Sequence, residues 1–284
     1  MTRVIAQEPL RHVGFVGLGD QGAPMAVAIA QAGFTLHVWA RHSASLAVLA
    51  EVPHVVHETL ADLGSNCQVV GICVPTDEDV DGVVEGGLLA NLRAGSVVVN
   101  HGTGLPSYAQ RLTRKCAEHG VNVLDAPESG AHAAALAHTS TTMIGGDESI
   151  ATWCTPVFRS YSSQVRYVGP AGSGQLAKLF NNALMMMNQA NIEEIVTVAD
   201  QLGMDVPALV ELLKVGSAAS FTLSALNDAI TVDNAAHLRQ VELVDMRVFA
   251  DAMAERDADA DAVTSRGVSG ADGLVDLINR VRPR

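Results

Sequence analysis

The sequence predicts an α/β protein in two parts. A doubly wound, mostly parallel sheet covers residues 1–170, and a long interdomain helix then leads into an all-α C-terminal domain over 171–284. Three observations predict this. Short apolar runs alternate with helical patterns from His12 to about residue 170, and strands alternating with helices build a parallel sheet. A glycine-rich turn joins the first run to its helix, and beyond Gly169 almost only helical periodicity remains. A chain of 284 residues has ample length for two packed domains.

The first strand is read at His12–Val16, with the glycine turn and a helix opening around Ala23-Pro24-Met25 after it. Pro24 fits the first helical turn, where its missing N–H would be unpaired anyway. Further apolar runs follow at Thr35–Trp39, Gln68–Val74, Ser96–Val99 and Asn122–Leu124. Thr141–Ile144 and Val165–Val168 read as two more strands. The helical part has a continuous apolar pattern from Leu176 to Ala199, then Val206–Val215, Phe221–Ile230 and Leu238–Glu255. The acidic stretch from Asp251 to Asp261 reads as a solvated helix face and turn, since it has no glycine-centred calcium loop.

Composition excludes several classes. A formal net charge of −13 with no basic stripe argues against nucleic acid. No apolar run is long enough for a bilayer and the N-terminus has no signal-like segment, so the expected compartment is the cytoplasm. Cys67, Cys73, Cys116 and Cys154 lack metal-ligand and C-x-x-C spacing, so no metal is expected and the thiols are read as reduced.

Gly17-Leu18-Gly19-Asp20-Gln21-Gly22 lies between a strand and a helix, the context in which G-x-G-x-x-G reads as a dinucleotide-binding Rossmann turn. The first glycine makes the turn, the second lets the backbone approach a pyrophosphate, and the third packs helix on strand. The helix N-terminus favours the phosphates. At the end of the second strand an acid would suit the ribose 2′-hydroxyl of NAD, whereas arginine suits a 2′-phosphate. Here the chain reads Arg41, His42, Ser43, with no acid before Glu51. The expected cofactor is therefore NADP, with NAD possible.

Gly172 and Gly174 open the long helical pattern that sets Lys178 and Asn182 four residues apart, one above the other on one face. A lysine near the start of a helix apolar on nearly every side needs a reason to be there. Both side chains can address one small polar ligand.

Four motifs in order resemble the β-hydroxyacid dehydrogenase family: Gly14 through Ala26, Asp125-Ala126-Pro127-Glu128-Ser129-Gly130, Gly172 through Asn182 and, more weakly, Asp245 through Ala250. The resemblance implies hydride exchange between a nicotinamide and a small β-hydroxy acid or its aldehydo or keto acid. It implies that Ser129, Gly130 and Ala131 hold the substrate carboxylate, that Lys178 is the acid/base and that Asn182 orients it. It further implies that Val74, Pro75, Thr76 and Thr103 line the cofactor, and that the protein is a homodimer or larger homo-oligomer. The chain departs from the family at Ala131, where a second glycine is usual, and at Glu128, where an apolar residue is usual. Val244 also stands where the family has lysine. Two rivals are an imine reductase of the same architecture, which typically lacks the lysine, and a non-catalytic NADP-binding module, which needs no Lys178, Asn182 and Ser129 together.

Overall fold

The computed structural model describes residues 9–130, 134 and 136–282. The chain divides into two units, Met1–Lys178 and Leu179–Arg284.

In the first unit, strands β1 (His12–Val16), β2 (Thr35–Trp39), β3 (Val55–Val56), β4 (Val69–Ile72), β5 (Val97–Asn100) and β6 (Asn122–Asp125) pair in parallel in the order 3-2-1-4-5-6. This is the order of a doubly wound dinucleotide-binding sheet. Beyond β6 lie β7 (Glu128–Ser129), β8 (Ser140–Gly146) and β9 (Ser162–Gly169). β8 runs antiparallel to β6 and β7 and parallel to β9.

Alternation along the strands explains the two layers. Successive side chains point to opposite faces, so Val13 and Phe15 of β1, with Val97 and Val99 of β5, enter one core, while Val16 and Val98 enter the other. The first core is closed by α1 (Gly22–Gln31), and the second by α2 (Leu60–Asn66), α3 (Asp77–Val83), the short α4 (Leu89–Asn91) and α5 (Pro106–Ala117). The first core also takes Ile150, Val157 and Phe158 from α6 (Glu148–Phe158). Strands covered on both faces read as continuous apolar runs.

Helix α7 (Ser173–Gln201) begins in the first unit and continues in the second. The rest of the second unit comprises α8 (Val206–Val215), α9 (Phe221–Ala225), α10 (Ala235–Ala254), α11 (Asp261–Asp272) and α12 (Leu274–Val281). Its core is Val196 from α7, Val210 from α8, Leu223 from α9 and Leu274, Leu277 and Ile278 from α12.

Three local readings change. The two-residue strands β3 and β7 are too short to carry an alternating signal. The helix expected over Phe221–Ile230 stops at Ala225, because Asn227 adopts a left-handed φ of 68° and its N–H turns back to the Ile230 carbonyl. Apolar character on nearly every side of α7 does not bury it throughout: Phe180, Leu184, Ile195 and Val198 are exposed.

Candidate active site

The glycine turn sits where β1 meets α1, and its three glycines differ in what constrains them. Gly17 has a φ of +95°, and a Cβ there would lie 2.0 Å from the Cys73 carbonyl oxygen. A Cβ on Gly22 would lie 1.9 Å from the Gly17 oxygen. Both are glycine because the fold requires it. A Cβ on Gly19 would meet nothing within 4 Å, so the protein leaves open space beside this backbone. No side chain caps the start of α1, whose N–H groups and dipole favour an anion. These features fit a dinucleotide pyrophosphate.

A cavity of about 260 Å³ adjoins the turn, lined by Gly17, Leu18 and Gly19, by Arg41 and His42 after β2, and by Val74 and Pro75 after β4. Ser45 and Asp79 also line it. Ser43 is exposed and begins the 3₁₀ turn Ser43–Leu49, and Asp20 and Gln21 are exposed beside the turn. Thr76 caps α3 by accepting the Asp79 N–H at 3.1 Å, and its hydroxyl donates to the Asp79 carboxylate. Asp79 in turn pairs with Arg41 at 3.2 Å. The acid that is absent after β2 in sequence thus arrives from the first turn of α3.

The loop holding Thr103 is fastened to α7. Buried Gln175 accepts the Gly104 N–H at 2.9 Å and donates to the Gly102 carbonyl at 2.7 Å, and Asn100 accepts the Gly102 N–H at 3.0 Å. Leu105 N–H reaches Asp77, whose carboxyl burial pushes up to about 6.

Asp125, the last residue of β6, fixes the start of α7. One carboxylate oxygen accepts the Gly172 N–H at 2.8 Å and the other the Gln175 N–H at 2.9 Å. A Cβ at Gly174 would lie 2.4 Å from the Asp125 carbonyl oxygen, and Gly172 has a φ of +91°. Gly172 is further required by the Pro106 carbonyl oxygen, 2.6 Å from where its Cβ would lie, and Gly174 by the backbone oxygens of Asp125 and Met143. Lys178 follows one turn later on α7.

Glu128 pairs across strands with Thr142, and Ser129 with Thr141. The Thr142 hydroxyl donates to Glu128 Oε1 at 3.1 Å, and the Thr142 and Ser162 hydroxyls lie 2.7 Å apart. Burial pushes the Glu128 carboxyl up to about 8, opposed by the Thr142 hydrogen bond, the positive charge of Lys178 and the Ser162 hydroxyl. Gly130 has a φ of +128°. Ala131 and His132 lie outside the described residues.

In the second unit, Asn182 is buried and donates to Asp245 at 2.7 Å. Sequence reading missed this partner, along with Asp79 and Gln175; the Asp245 motif was the available signal. Among the described residues no group of three or more His, Cys, Asp or Glu side chains is placed to hold a metal ion, and no helix is long and apolar enough to cross a membrane. The four cysteines are free thiols.

Residues 12–169 match the family model for the NAD binding domain of 6-phosphogluconate dehydrogenase, and residues 172–264 match that for the NAD-binding region of NADP-dependent 3-hydroxyisobutyrate dehydrogenase. The chain belongs to the β-hydroxyacid dehydrogenase family. It is an NAD(P)-dependent oxidoreductase of the hydroxyacid dehydrogenase type. This family member is 30% identical over 220 residues to the NAD-dependent L-serine dehydrogenase of Pseudomonas aeruginosa, across 77% of this chain and 74% of that protein. It is 30% identical over 210 residues to the 2-hydroxy-3-oxopropionate reductase of Escherichia coli, across 73% and 72%. In fold it resembles a Mycobacterium tuberculosis 3-hydroxyisobutyrate dehydrogenase solved with L-serine, with a TM-score of 0.81 at 23% identity, covering 96% of this chain and 100% of that one.

Proposed function

We propose that this β-hydroxyacid dehydrogenase uses NADP to interconvert a small β-hydroxy acid and its aldehydo or keto acid, with Lys178 as general acid and base. The observation that carries the reading is the double anchoring of α7 by Asp125 and Gln175, which ties the turn bearing Lys178 to β6 and to the Thr103 loop. A group that exchanges a proton with a reacting oxygen must be held in place, and this anchoring supplies that.

When bound, the nicotinamide supplies or accepts the hydride. Gly17, Leu18, Gly19 and the start of α1 hold the pyrophosphate, and Arg41 holds the 2′-phosphate after exchanging its Asp79 partner. Val74, Pro75, Thr76 and Thr103 border the rest of the cofactor. Ser129 and Gly130 hold the substrate carboxylate through a hydroxyl and backbone N–H groups. In reduction the Lys178 ammonium gives its proton to the carbonyl oxygen as that oxygen gains negative charge. In oxidation the neutral amine takes the hydroxyl proton. Asn182, held by Asp245, orients the substrate oxygen. Exposed Phe180, Leu184, Ile195 and Val198 on α7 support a homo-oligomer, which sedimentation velocity tests.

The decisive experiment measures NADPH binding by fluorescence and turnover with L-serine, 3-hydroxyisobutyrate and 2-hydroxy-3-oxopropionate. Lys178→Ala is expected to keep NADPH affinity while kcat falls about 10²–10⁴-fold. Wild-type turnover in that variant overturns the role of Lys178. Turnover of ketone plus amine in place of any hydroxy acid would favour the imine reductase, and binding without any turnover would favour the non-catalytic module.

A further inference from the structure

At the end of the parallel strands away from the glycine turn, the first unit has a cavity of about 400 Å³. Its lining includes Arg11 and His12 where β1 begins, Gln68 before β4, and Arg93 and Ser96 before β5, and no acid. Gln68 builds the site. Its side chain accepts the N–H groups of Arg11 at 2.8 Å and His12 at 3.1 Å, and its backbone carbonyl accepts the Val97 N–H at 2.9 Å. Ser96 N–H turns back to the Arg93 carbonyl at 3.0 Å, so the segments carrying both guanidiniums are joined through one residue. His12 is oriented from behind. Its Nδ1 lies 2.9 Å from Nε2 of buried His37, whose Nδ1 lies 2.9 Å from Nε2 of His57. With His57 donating to His37 and His37 to His12, the His12 Nε2 carries a proton that can be donated outside this chain. Among the described residues neither Arg11 nor Arg93 forms an ion pair, although the chain has 31 Asp and Glu against 18 Lys and Arg. An acid-free cavity with two such arginines suits an anionic ligand.

We propose that this cavity is a second ligand site, which takes the phosphate dianion of a small phosphomonoester. Planar guanidiniums on two segments, with an imidazole N–H between strands, match a tetrahedral dianion better than a flat, singly charged carboxylate. A volume of about 400 Å³ lies in the range of small-ligand pockets and leaves room for the organic group that carries the phosphate. The site is distinct from the dinucleotide site, because His12 opens β1 and Gly17 follows its other end. It does not depend on the hydride chemistry proposed above.

Calorimetric titration of inorganic phosphate and of glycerol 3-phosphate into the full-length protein tests this. NADPH is kept saturating to fill the dinucleotide site, and NaCl holds ionic strength constant. Both anions are expected to bind and to raise Tm, whereas acetate does neither. Arg11 and Arg93 are exposed, so Arg11→Gln and Arg93→Gln keep the core, which thermal melts without ligand verify. Each is expected to weaken both phosphates about tenfold through loss of a charge-assisted contact, and Arg41→Ala is expected to leave them unchanged. Tighter binding of glycerol 3-phosphate than of phosphate supports the monoester, and equal affinity overturns it in favour of free phosphate. The site itself is overturned by absence of binding, by acetate binding as tightly as phosphate, or by phosphate affinity that survives both arginine substitutions.

Discussion

The Asp125 carboxylate accepts the backbone N–H of Gln175 at 2.9 Å, joining the end of β6 to the first turn of α7. Its other oxygen is committed to Gly172, so both oxygens must be acceptors. Asp125→Asn places an amide N–H₂ against a backbone N–H whichever way it turns. The expected cost is about 1–3 kcal/mol of stability, with a drop in kcat because Lys178 loses its anchor. Urea unfolding beside steady-state kinetics checks this, and an unchanged midpoint would count against the anchoring.

Arg41 and Asp79 should act oppositely on cofactor choice. Arg41→Ala is expected to weaken NADPH about tenfold or more while NADH changes little, since a charge-assisted phosphate contact is lost. Asp79→Asn releases Arg41 and should tighten NADPH. Fluorescence titration of both dinucleotides into both variants decides, and equal effects on NADPH and NADH would remove Arg41 from the phosphate site.

Gly19 and Gly22 separate ligand requirements from fold requirements. Gly19→Ala meets no protein atom, so its melting temperature should hold within a few degrees while dinucleotide affinity falls about tenfold. Gly22→Ala drives a methyl into the Gly17 carbonyl and should destabilise the protein outright. Thermal melts with and without NADPH distinguish the two.

Acid should unfold the first unit early. His37 is buried between His12 and His57, with ring nitrogens 2.9 Å apart on each side, and burial, then His57 and His12, lower its pKa to about 4. His101, packed among Phe15, Phe158 and Tyr161, is lowered to about 4 by burial. The ordinary value is 6.5, so between pH 6.5 and 4 the unfolded chain binds more protons and stability falls as pH falls. Each histidine contributes on the order of 3 kcal/mol to this loss by pH 4. Urea midpoints at pH 7, 6 and 5 should decline steadily, and a flat profile would contradict it.

The residues that were legible in sequence announce themselves locally. The run from His12 to Val16 followed by Gly17 to Gly22 reads as strand, turn and helix because each piece has its own composition, and α8 was read at its observed ends, Val206 and Val215, from helical periodicity alone. What stayed hidden are relations between distant segments. Asp79 is one acid among several at the start of α3, and only the winding of the sheet brings it to Arg41, 38 residues earlier. Gln175 looks like any helical glutamine until the loop at Gly102–Gly104 folds against it, 71 residues away from Gly104. β7 fails for another reason: two residues have no period.

Within the segment from Asp125 to Gly130, mechanical and chemical duties are separated by only a few positions. A library meant to widen substrate range could randomise Ser129 yet must leave Asp125 and the facing Gly174 untouched, because changes there would be scored as lost specificity when they had only loosened a joint.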